Sequence, residues 1–125
     1  MSNIVHVTPF LLVPDLDDAL DFFTRVLGFT VPFQMQNYAY LSLDTAGLRL
    51  LAEHSATPVT REHAHTTVYI DVRDVDALYA ELQSRLATLP AEDVQPPVNQ
   101  YWGMRELSVR MPDGNWLTFG QAIPS

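Results

Sequence analysis

At 125 residues the chain is long enough for one domain with a real core and too short for two independent ones. A formal charge of −8, with no lysine and seven scattered arginines, argues against nucleic acid as a partner, since phosphate binding rests on basic side chains. The absence of cysteine excludes disulfides, thiol catalysis and zinc-thiolate sites. No apolar run nears the ~20 residues of a bilayer span, and Met1–Ile4 lacks signal-peptide character, so cytoplasmic residence without a membrane partner is expected.

In chain order, residues 5–13 form the first strand candidate, broken or held at an edge by Pro9, which has no N–H to donate. Asp15 is a candidate N-cap, and Asp17 and Asp18 suit the positive end of the helix that follows. Leu16, Ala19, Leu20, Phe23, Val26 and Leu27 recur at three- and four-residue spacing as one buried stripe, which Gly28 closes. Three strands are predicted next, Thr30–Met35, Tyr38–Asp44 and Leu48–Glu53, with Asp44–Gly47 as the turn between the last two. Ser55–Ala64 reads as a linker. Beyond it come a strand at Thr66–Val72, a helix capped by Asp74 and running through Leu86, and a proline-rich connection, Pro90–Pro97. Two strands, Met104–Met111 and Trp116–Gln121, end the pattern, joined by the turn Pro112–Asn115.

The chain repeats itself. Val13-Pro14-Asp15-Leu16-Asp17-Asp18-Ala19-Leu20 returns 59 residues later as Val72-Arg73-Asp74-Val75-Asp76-Ala77-Leu78, each time after a strand and opening a helix. This predicts an α+β fold of two βαβββ units, about 4–54 and 65–122, within a single domain spanning 1–125, with a small molecule in the cleft between them. Alternation assigns the faces. Val68, Ile70 and Val72 pack on the helix, and Thr67, Tyr69 and Asp71 line the opposite, concave face. In the first unit Val7, Leu11 and Val13 turn to the helix, and Thr8, Phe10 and Leu12 to the cavity.

The pocket is expected to draw on Tyr38, Tyr40, Thr67, Tyr69, Asp71 and Trp102, with Tyr101 beside Trp102 on the rim. Flat aromatic faces near a carboxylate suit planar or cationic ligands, although core and dimer packing would also account for the rings. Asp71 would meet a cationic ligand group or pair with Arg49 or Arg105. Trp116 reads as packing. No Gly-X-Ser-X-Gly elbow or glycine-rich phosphate loop occurs, while acid–base chemistry by Glu106, Asp71 or a histidine stays open.

Asp15-Leu16-Asp17-Asp18-Ala19-Leu20-Asp21-Phe22-Phe23, Val26-Leu27-Gly28-Phe29 and Met111-Pro112-Asp113-Gly114-Asn115-Trp116-Leu117-Thr118-Phe119 resemble the vicinal oxygen chelate superfamily, which includes glyoxalase I, extradiol dioxygenases and bleomycin-resistance proteins. Thr8-Pro9-Phe10-Leu11, Asp76-Ala77-Leu78-Tyr79-Ala80-Glu81 and Tyr101-Trp102-Gly103-Met104-Arg105-Glu106 resemble the bleomycin-resistance branch. The resemblance implies a cup-shaped mixed sheet and a homodimer that sequesters a small aromatic or cationic molecule between its subunits, without catalysis. It also places the superfamily's metal-ligand positions on Thr8, Arg49, Thr67 and Thr118. Threonine hydroxyls are weak ligands and a guanidinium binds no cation, so no cofactor is expected. The alternative is a metal-dependent lyase or dioxygenase with a divalent metal displaced onto His6, His65 and Glu53. Against it, His63-Ala64-His65 reads more readily as a loop end with solvated histidines, since His-X-His alone is a weak signal.

Overall fold

The computed structural model describes residues 3–52 and 66–124. Two units of the same topology are present, one on each side of residue 60. In the first, β1 (Phe10–Val13), β2 (Thr30–Gln34), β3 (Tyr38–Leu43) and β4 (Ala46–Ala52) form a sheet of order β1-β4-β3-β2. In the second, β5 (Thr67–Asp71), β6 (Val94–Asn99), β7 (Met104–Arg110) and β8 (Trp116–Ala122) take the order β5-β8-β7-β6. Each sheet has one parallel pair, β1 with β4 and β5 with β8, and is otherwise antiparallel. The crossovers carry α1 (Leu16–Asp21) and α2 (Val75–Leu86). The predicted α+β class of two βαβββ units is therefore observed, the mixed sheet being present as two four-stranded sheets.

Both helices start as their caps require. Asp15 and Asp74 are extended, and each carboxylate accepts a bond from the backbone N–H three residues on, at Asp18 and Ala77, 3.0 Å in both cases. The first helix departs from the predicted regular spiral. After Asp21 it widens into a π-helical turn, Phe22–Val26. Thr24 supplies a local cause: its hydroxyl donates to the Leu20 carbonyl at 2.7 Å and competes for the acceptor of the next α-helical turn. The adjacent Phe22 and Phe23 are both buried there, with Phe23 edge-on to Phe29. Gly28 then ends the helix at φ 81°, a conformation that disfavours a side chain.

Three strand expectations need correction. The strand predicted over 5–13 forms only at Phe10–Val13; residues 3–9 make no ladder, and Val7, assigned to the helix face, is 88% exposed. Alternation fixes a face only where a sheet exists to have one. Gly47 belongs to β4 and not to the turn, which is tightened by Asp44 at φ 52°. The Pro90–Pro97 connection holds a 3₁₀ turn at Ala91–Asp93 and then β6, with Pro96 and Pro97 at a register shift between Gln95 and Val98 on the sheet's edge. An edge strand with a bulge is where missing N–H donors are tolerated. The predicted linker, Ser55–Ala64, lies outside the described residues.

The helix-facing sides of both sheets share one core, joining Leu11, Val13, Leu41 and Leu50 to Val68, Leu107, Leu117 and Phe119. The opposite faces carry exposed apolar side chains. Phe10, Leu12, Phe33 and Met35 on the first, and Tyr69, Val98 and Trp102 on the second, are all substantially exposed.

Candidate functional site

The concave face of the first sheet is built by register. Phe10, Arg49, Tyr40 and Phe33 lie side by side across β1, β4, β3 and β2. The next row holds Leu12, Leu51 and Tyr38, with Met35 hydrogen-bonded to the Tyr38 backbone. Tyr38 is the centre of the ring cluster, 6.2 Å from Phe10 and 6.1 Å from Phe33. The Arg49 guanidinium lies 5.1 Å from the Tyr40 ring centre and donates from Nη1 to the Tyr38 hydroxyl. This face is aromatic, with one cation held over a ring.

The second face is acidic and polar. Tyr69 on β5 reaches across β8 at Gly120, the position opposite Glu106 on β7. Desolvation, together with the hydrogen bond its hydroxyl gives Glu106 and the negative charges of Glu106 and Asp71, pushes the Tyr69 phenol up to about 12. Trp102 donates its indole N–H to Glu106 Oε2 at 3.0 Å. Glu106 is 5% exposed, so these two donors hold a nearly buried carboxylate. It was absent from the predicted pocket, although alternation with buried Leu107 and Val109 was the available signal.

The predicted pocket residues thus divide between two faces: Tyr38 and Tyr40 on the first, Thr67, Tyr69, Asp71 and Trp102 on the second. Tyr40, Tyr69 and Asp71 meet at a groove of about 520 Å³ between the units, where His6 also lies. Tyr38 and Trp102 do not line it. Asp71 pairs with neither Arg49 nor Arg105. Arg105 binds Asp76 at 3.0 Å and Asn99, and its hydrogen bonds hold the Asp76 carboxyl below the usual range. Trp116 packs beneath Arg110, 5.2 Å from its ring centre.

The superfamily's metal-ligand positions do not fit a divalent cation. Arg49 brings positive charge, and the Thr118 hydroxyl is engaged with Ser108 at 3.0 Å. Thr8 and Thr67 offer only weak hydroxyl ligands. Of the displaced set, His65 and Glu53 lie outside the described residues, and among the described residues no three His, Asp or Glu side chains converge.

Comparison with known proteins defines the class. Residues 3–119 match the Glyoxalase/Bleomycin resistance protein/Dioxygenase superfamily, and the chain belongs to it. Its fold is similar to a bleomycin-binding protein solved with bleomycin, at TM-score 0.79 and 23% identity over 94% of this chain and 98% of the other. The bleomycin-binding protein of Streptomyces verticillus, solved with copper(II)-bleomycin, gives 0.79 and 22% with both chains fully covered. The bleomycin resistance determinant of transposon Tn5 gives 0.77 and 21%, covering 95% of this chain and 98% of the other. No curated protein matches the sequence. Among the described residues no helix is long and apolar enough to cross a membrane.

Proposed function

We propose that this protein is a metal-free, non-catalytic binding protein that sequesters a small aromatic or cationic molecule, as a homodimer. The observation that carries this reading is the uncovered ring cluster of Phe10, Tyr38 and Phe33, with Phe10 and Phe33 each about half exposed. A soluble monomer has little reason to leave so contiguous an apolar face in water, whereas a ligand or a second copy would cover it. The second face offers complementary chemistry, with Trp102 and Tyr69 for stacking and Glu106 and Asp71 for a cationic group. Joining the first face of one copy to the second face of another would make two equivalent grooves by a two-fold operation. Bleomycin, bound by the structural neighbours, is one candidate ligand of this kind.

The test is titration of proflavine, a planar aromatic cation, and of bleomycin, followed by tryptophan fluorescence beside sedimentation equilibrium. A dimer with Kd of about 10 µM or tighter for either probe, its quenching reduced in Trp102→Phe, is expected. A monomer that binds neither probe at millimolar concentration overturns the reading.

A further inference from the structure

We propose that Arg49 is an anion-recognising group, and that the first concave face takes aromatic molecules bearing a carboxylate or similar oxyanion. This rests on the ligand-binding reading above and extends it to a chemical class which that reading leaves out.

Arg49 is held by its strand neighbours and by two tyrosines. It lies mid-strand in β4, between Phe10 on β1 and Tyr40 on β3, so its stem rises from the concave side of the sheet. The guanidinium carbon lies over the Tyr40 ring, 5.1 Å from its centre, and Nη1 donates to the Tyr38 hydroxyl. A cation–π contact engages no N–H with an acceptor, so the remaining N–H groups can meet a carboxylate in a fork. Of its five donors, one is engaged by Tyr38. Among the described residues no carboxylate pairs with Arg49, although acidic residues outnumber basic ones 15 to 7 in the chain. Arg25, Arg105 and Arg110 are each engaged by an aspartate. Arg73 and Arg85 share Arg49's lack of a carboxylate partner among the described residues, but of these three only Arg49 lies over an aromatic ring.

The setting selects the rest of the ligand. Phe10, Tyr38 and Phe33 form an apolar floor beside the guanidinium, and Leu12 and Met35 extend it. A ring lying on that floor with a carboxylate at its edge would satisfy both the rings and the unused N–H groups. A half-buried guanidinium also gains strength as a ligand excludes water from it. The second face, with Glu106 and Asp71, offers no such donor, so within a shared groove the anionic end of a ligand would lie on the Arg49 side.

The experiment uses three probes of one shape, 2-naphthoate, the neutral 2-naphthamide and the cationic 2-naphthylmethylammonium, titrated calorimetrically into wild type and into Arg49→Gln and Arg49→Met. Wild type is expected to bind the naphthoate about tenfold tighter than the amide, the increment of one charge-assisted fork. Both variants should lose that preference, binding naphthoate and amide alike within about twofold. Equal binding of naphthoate and amide by wild type overturns the assignment, as does a preference that survives in both variants. If the variants instead weaken self-association and leave the ligand preference intact, the guanidinium serves a carboxylate of a second copy and the proposal falls. Binding of amide or ammonium without naphthoate preference sinks this inference alone; failure of all three probes and of proflavine sinks the binding function with it.

Discussion

An alanine at position 120 would place its Cβ 1.8 Å from the Tyr69 hydroxyl, so at this position the glycine is a matter of space. The same arrangement recurs in the first unit, where the Tyr40 hydroxyl lies 2.2 Å from where a Cβ on Gly47 would stand. In both units the hydroxyl end of a tyrosine passes over a glycine of the inner strand, and in the second this carries the phenol to Glu106. Gly120→Ala is expected to turn Tyr69 away and leave a nearly buried carboxylate with one donor fewer, a loss of about 1–3 kcal/mol. Urea denaturation measures it. Tyr69→Phe removes the same hydrogen bond, so the double variant should cost clearly less than the sum of the single ones. Additive losses would mean that the glycine serves something other than the tyrosine.

At the scale of elements, the two helices are started by the same device. Asp15 and Asp74 each accept one bond from an N–H that the helix itself leaves unpaired. Asp15→Ala and Asp74→Ala should each lower stability by about 1 kcal/mol in urea, and additively, because the caps belong to different units. An effect confined to one variant would show that the other helix is held by packing alone. The helices differ after their first turns: α2 runs regularly to Leu86, while the first widens at Thr24, whose side chain takes a backbone acceptor.

The whole molecule is acidic, and repulsion among its surplus carboxylates acts against compactness. Among the described residues, three arginine–aspartate bridges, Arg25–Asp21, Arg105–Asp76 and Arg110–Asp93, act the other way. Two of them are largely exposed and contribute little. Raising sodium chloride from about 10 to 150 mM, which shortens the screening length from about 30 to 8 Å, should therefore raise the melting temperature. A fall would show that attractive pairs dominate. The same screening would help two such chains associate, so melting is best followed at several protein concentrations.

Much of this was legible in residue order, because the information is local. The Asp15 and Asp74 caps, the strand alternation at Phe10–Val13 and Thr67–Asp71, and the repeated motif depend on neighbours a few positions apart, and periodicity records these directly. The resemblance added the class, which the superfamily match establishes. What only the tertiary structure decided depends on register between distant strands. Nothing near Glu106 in the chain announces that Tyr69, 37 residues earlier, will cross Gly120 to meet it. Nor could order alone tell that Arg49 would lie on Tyr40 and leave Asp71 without it, since pairing across β3 and β4 sets that choice. The division of the expected pocket into an aromatic, cationic face and an acidic one has the same origin: side chains share a surface only after strands have chosen their partners.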